Sequence, residues 1–199
     1  MKIPLYYQRS EYDCGPTSII NGLSYLFDRE EFPPELIRRI MSYSLDSFDD
    51  SGRACRRGTT AEALRFISCW LGNYGAARSF PVRAVFLEQE QVHLGEGSLI
   101  LDALLKGGAV ILHMFYECGH YVLLTGLEGS DRLCMFDCYY EEGEDLDLLE
   151  QAGIEIVHDR PFKMNRIVPI QRLDSTETGS YQLGPVNTRE AVLLFRTDT

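Results

Sequence analysis

The chain places a cysteine just before a helix, a histidine at the head of an apolar strand and an aspartate at the end of the next strand. Cys14 lies in Gln8-Arg9-Ser10-Glu11-Tyr12-Asp13-Cys14-Gly15-Pro16-Thr17, ahead of Ile19, Ile20, Leu23, Leu26 and Phe27 at helical spacing. A thiolate there faces unpaired backbone N–H groups and the positive end of the helix dipole, which makes a nucleophile available near neutral pH. Gly15 permits a sharp bend that leaves the sulfur uncovered, and Pro16 suits a first helical turn, where its missing N–H costs nothing. The N–H of Cys14 would point at an oxyanion formed on a carbonyl attacked by that sulfur.

His120 follows a glycine in Glu117-Cys118-Gly119-His120-Tyr121-Val122-Leu123-Leu124. A strand is a rigid mount, so a histidine there can serve a thiol as general base. Asp137 closes Met135-Phe136-Asp137. If residues 120–127 and 133–137 pair as a hairpin, its carboxylate falls beside His120 and can fix the imidazole tautomer. Singly, each has a plainer reading: a small buried hydrophobe, a structural histidine, a turn residue at a strand end. Together they compose nucleophile, base and orienting acid.

The elements that must hold these groups can be read in outline. Lys2 to Tyr7 reads as a short strand. Helices are expected after Cys14, from Pro34 to about Tyr43, and from a cap at Thr59, with Glu62 at capping-box spacing and Gly72 as a stop. An acidic loop, Asp46 to Arg57, separates the last two. Val82–Leu87 looks like a strand and Leu99–Lys106 a helix ended by Gly107-Gly108. Strands follow at Ala109–Phe115, His120–Leu127 and Leu133–Asp137, the last two joined by a turn at 128–131. Glu141 to Glu150 reads as a solvated acidic helix. Late strands at Arg166–Pro169 and Ala191–Arg196 flank a polar loop, Asp174 to Asn187. Helices first and an antiparallel sheet second make an α+β pattern of two packed halves.

Composition bounds the function classes. At 199 residues the chain is expected to be one domain, 1–199. Its 19 Lys plus Arg against 30 Asp plus Glu give a net charge of −11, which argues against nucleic acid and anionic membranes as partners. Apolar runs such as Ala109–Leu112 fall far short of the roughly 20 residues that span a bilayer, and the N-terminus lacks a signal-peptide core. A cytoplasmic location is expected, and the six cysteines are read as free thiols.

Gln8, then Asp13-Cys14-Gly15-Pro16, with Gly119-His120-Tyr121 and Phe136-Asp137 downstream, resembles the C39 family of papain-fold cysteine peptidases, the bacteriocin-processing peptidases and their stand-alone relatives. The likeness runs over about residues 3 to 138. It implies a papain-like fold with Cys14 as nucleophile, His120 as base, Asp137 as orienting residue and Gln8 as a side-chain donor of the oxyanion hole. It implies a peptide or amide substrate and no cofactor or metal. Cys138 stands where the family usually has proline after the aspartate. Members that mature exported peptides are commonly fused to an exporter and an ATPase, which this chain does not contain, so an exporter would be a separate partner. An acyltransferase would share every one of these residues, and a non-catalytic peptide-binding relative typically loses the cysteine.

Other constellations are weaker. Cys118, His120, Cys134 and Cys138 match no common zinc spacing. Asp46, Asp49 and Asp50 lack the twelve-residue pattern of a calcium loop. His93, His113 and His158 have no cysteine motif beside them and read as structural.

Overall fold

A computed structural model describes residues 1–78 and 80–198. In chain order it comprises α1 (Cys14–Leu26), α2 (Pro34–Ser44), α3 (Ala61–Arg78), β1 (Val82–Glu88), α4 (Leu99–Leu105), β2 (Ala109–Tyr116), β3 (Cys118–Glu128), β4 (Arg132–Phe136), α5 (Glu144–Gln151), β5 (Glu155–Ile156), β6 (Arg166–Pro169), the single turn α6 (Ile170–Leu173) and β7 (Glu190–Arg196). The strands form one antiparallel sheet ordered β1-β7-β2-β3-β4-β6-β5.

Side-chain alternation along the strands divides the core in two. Ile111, Leu123, Val192 and Leu194 meet Ile19, Ile20 and Leu23 of α1, Leu36 and Ile40 of α2, and Leu64, Ile67 and Leu71 of α3. Their strand neighbours Leu112, Val122, Leu124 and Leu193 face the other way, onto Ile100, Ala103 and Leu104 of α4 and onto Leu173, Tyr181 and Leu183. The sheet is therefore buried on both faces, which is why β2 and β3 read as continuous apolar runs.

The architecture is α+β with an antiparallel sheet, but its order in space departs from its order in sequence. The expected succession of helical half and sheet half gives way to one sheet clad on both faces, with the last strand, β7, inserted between β1 and β2. Lys2 to Tyr7 is not a strand. It is an extended segment tied by the Leu5 N–H to Pro161 O and by the Gln8 N–H to Cys138 O, each at 2.8 Å, and Pro4 has no N–H to give a ladder. Thr60, not Thr59, caps α3, its Oγ1 accepting the Ala63 N–H at 3.2 Å. Gly72 does not stop α3, which continues through it to Arg78. Aromatic packing around Trp70 and Tyr74, ring centroids 5.1 Å apart, offsets the weak helical preference of glycine. Glu141 does not begin the acidic helix, which starts at Glu144. The β3–β4 hairpin forms as read, with Glu128 opposite Arg132. All six cysteines are unpaired. Among the described residues, no helix is long and apolar enough to cross a membrane.

Candidate active site

Asp13 builds the corner that presents Cys14. Its buried carboxylate accepts the Arg9 N–H at 3.1 Å, the Ser10 N–H at 2.7 Å and the Ser10 hydroxyl at 2.7 Å. Its carbonyl accepts the Thr17 N–H at 3.0 Å, so the same residue folds the 9–13 turn and starts α1. Cys14 is the first residue of that helix, where backbone N–H groups have no intrahelical partner. Gly15 is required there by close approach. A Cβ on it would lie 2.2 Å from Thr59 Oγ1 and 2.7 Å from Thr59 Cβ.

His120 and Asp137 meet across the β3–β4 pair, Nε2 to Oδ1, at 2.8 Å. Leu123 pairs with Phe136, so Asp137 continues past the strand end on the side where β3 begins. Both side chains are buried. Burial by itself would drive the imidazole toward its neutral form. The charge and hydrogen bond of Asp137 outweigh it, the Cys14 thiol adds to their effect, and the His120 pKa is pushed up to about 10. Burial likewise opposes ionisation of Asp137. The imidazolium, the Tyr181 hydroxyl and the Tyr139 N–H overcome it and hold the carboxyl below its usual range. His120 and Asp137 thus each favour the charged form of the other.

Sequence reasoning missed the residues that hold Asp137. Tyr181 sits in the stretch expected to be a polar loop, yet it is fully buried and donates its hydroxyl to Asp137 Oδ2 at 2.5 Å. A lone large aromatic between Gly179-Ser180 and Gln182 was the available signal. Asn165 pairs reciprocally with the Asp137 backbone, accepting its N–H and donating to its carbonyl, both at 2.8 Å; nothing in its local sequence marks it. Behind them Arg166, also buried, reaches the Asn165 carbonyl at 2.9 Å and Glu141 Oε2 at 3.3 Å. Glu141 therefore turns inward to a buried cation, contrary to the solvated role expected for it, and Tyr116 donates to its other oxygen. Tyr181→Phe keeps the ring and removes the donor. It is expected to cost about 1–2 kcal/mol, read as a lower denaturant midpoint, and to raise the pH at which the Asp137 carboxyl titrates by NMR.

No model of a known protein family matches this chain, and none of the curated proteins is significantly similar to it.

Gln8 reaches the site from the extended N-terminal segment. Its Nε2 donates to the Ser10 carbonyl at 2.8 Å, and its Oε1 accepts from the Cys138 thiol at 3.4 Å. Burial, above all, keeps that thiol protonated, so it remains a donor. The amide is thereby held with oxygen inward, and one Nε2 hydrogen is left over. Gln8, Cys14 and His120 line one cleft of about 130 Å³, with Glu11, Glu117, Tyr116 and Tyr139 around it.

His120, Asp137 and Cys138 also bring a nitrogen, an oxygen and a sulfur within 4.8 Å of one another. The 2.8 Å separation of Nε2 and Oδ1 is that of a hydrogen bond, and the Cys138 sulfur already lies 3.6 Å from Ser18 Oγ. The group is accounted for as a hydrogen-bond network. Of the weaker zinc set, Cys118 is exposed and Cys134 packs with Val157, Met164 and Ile167, away from His120. His113 lines a cavity that adjoins this cleft at Cys14 and Gly119, and a Cβ on Gly119 would meet its Nε2 at 2.7 Å.

Proposed function

We propose that this protein is a papain-like thiol hydrolase that opens a peptide or other amide bond. The observation that carries the reading is the convergence of three independent segments: a cysteine at a helix start and an imidazole that line one cleft, and a buried carboxylate 2.8 Å from the imidazole Nε2. An imidazolium next to a sulfur at a helix N-terminus is the setting in which a thiolate can attack at neutral pH.

In this mechanism the Cys14 sulfur adds to the substrate carbonyl, and the resulting oxyanion takes hydrogen bonds from the Cys14 N–H and from the remaining Nε2 hydrogen of Gln8. His120 gives its proton to the leaving amine as the carbon–nitrogen bond breaks, which leaves a thioester on Cys14. Water then attacks that thioester. His120 takes a proton from the water, the acid departs, and the ion pair is restored. Asp137 keeps the ring oriented and its charge compensated in both halves. Tyr181, Tyr139 and Asn165 act on Asp137 and are positioning residues.

Treatment with p-nitrophenyl acetate tests the assignment. Intact mass is expected to gain one acetyl group, peptide mapping to place it on Cys14, and water to release it. Faster release by an added amine would mark the acyltransferase variant of the same chemistry. Acetylation spread over lysines with Cys14 untouched would contradict the reading.

A further inference from the structure

The cleft has a second arm. Beyond Cys14 and Gly119 it continues as a cavity of about 370 Å³, lined by Arg56 and Arg57 together with Thr59 and His113. We propose that this arm is an anion subsite, and that the substrate carries a carboxylate within a residue or two of the bond that is cut. The proposal names the substrate class of the thiol-hydrolase site and rests on that reading.

The charge pattern runs against the rest of the chain. With a net charge of −11 and 19 basic residues in 199, two adjacent arginines beside a nucleophile are a local reversal. The arm next to His120 carries Glu11 and Glu117 and no Lys or Arg, whereas in the second arm Glu11, at the junction, is the one acid. Arg56 has no ion-pair partner among the described residues. Its guanidinium carbon lies 5.9 Å from the Tyr12 ring centroid, a contact that holds it in place without neutralising it. Arg57 is paired to Asp50, whose side chain is 91% exposed, and an open surface pair of that kind yields readily to a competing carboxylate. Two forked guanidinium groups suit the two oxygens of a carboxylate.

Thr59 and His113 also line this arm, and their buried atoms Oγ1 and Nδ1 have no partner among the described residues. Burial, seconded by the charge of His120, brings His113 down to about 4, so it offers a neutral ring rather than a third charge. One guanidinium without an ion-pair partner and one held only by an open surface pair, in a cavity that Cys14 also lines, suit an anionic ligand.

Alkylation of Cys14 provides a test that needs no knowledge of the substrate. Iodoacetamide and iodoacetate both lose iodide to the attacking sulfur, and only iodoacetate carries a carboxylate. The subsite predicts that the iodoacetate rate saturates with concentration and exceeds the iodoacetamide rate roughly tenfold, the scale of one charge-assisted hydrogen bond. In the double variant Arg56→Gln/Arg57→Gln that excess should vanish while the iodoacetamide rate stays as it was. Two dipeptides then separate the sources of the carboxylate: N-acetyl-alanyl-aspartic α-amide, with an acidic side chain, and N-acetyl-alanyl-alanine, with a free terminus. The one that slows labelling of the natural protein but not of the double variant identifies the source. An iodoacetate rate that is linear, no faster than iodoacetamide and unchanged in the variant, or protection by neither peptide, overturns the subsite. A Cys14 inert to both reagents overturns the thiol-hydrolase reading instead.

Discussion

Cys14→Ala should leave a folded protein with no turnover, and Gln8→Ala should leave a folded protein with turnover lowered by roughly 10²–10³. The two losses differ in kind. Removing the sulfur removes the atom that forms the thioester in the proposed mechanism, and no neighbour replaces it, because Cys138 is buried, protonated and turned toward Gln8. Removing the Gln8 amide spares the nucleophile and takes away one donor that acts when charge develops on the carbonyl oxygen. The alkylation rate of Cys14 should therefore be nearly unchanged in Gln8→Ala. The amide also bridges Ser10 and Cys138, so a stability loss of about 1 kcal/mol is expected alongside. Measuring melting temperature, alkylation rate and turnover on one preparation separates these effects. A destabilised variant with full turnover per folded molecule would remove Gln8 from the site.

Asp137→Ala should be the most destabilising of the single substitutions around the site, at about 3–5 kcal/mol, because it strands a buried cation. It leaves the Tyr181 hydroxyl and the Tyr139 N–H without their acceptor as well. The penalty has a defined pH dependence. His120 has its folded pKa raised to about 10, so its contribution is complete below the ordinary histidine pKa of roughly 6.5 and is lost as pH rises toward 10. Asp137 has its folded pKa lowered, so its contribution is present above the ordinary carboxylate range and is lost as pH falls below it. The gap in unfolding free energy between natural protein and variant should be widest between about pH 5 and 6.5 and narrow in both directions. Denaturant titrations across pH 3 to 10 would measure it. A gap that is flat with pH would mean that the two groups are not charged partners in the fold.

What the sequence made legible is what local rules govern. Apolar periodicity located α1, α2, β2, β3 and β4, and the hairpin turn brought Asp137 to His120. The failures share one cause, which is that tertiary contacts overrode local signals. Gly72 looks like a helix stop, but packing carries α3 through it. Thr59 has the capping spacing, yet its side chain is pressed against Gly15, so Thr60 caps instead. Tyr181 and Glu141 lie in stretches whose composition says solvent, and each is drawn inward by a buried partner, Asp137 or Arg166. Asn165 acts through backbone pairing that no local pattern announces. The candidate residues Cys14, His120 and Asp137 were readable because their types are distinctive, whereas those that hold Asp137 depended on which strands meet.

The most direct measurement is the order in which the six cysteines react with iodoacetamide near neutral pH. Accessibility alone ranks Cys55, Cys69 and Cys118 first, since these are exposed while Cys14 is buried. The reverse order is expected, with Cys14 labelled fastest because a sulfur at a helix start, in one cleft with the His120 imidazole, outweighs exposure, and with that lead lost in His120→Ala. Peptide mapping in which the three exposed thiols are modified first and Cys14 stays inert would contradict it.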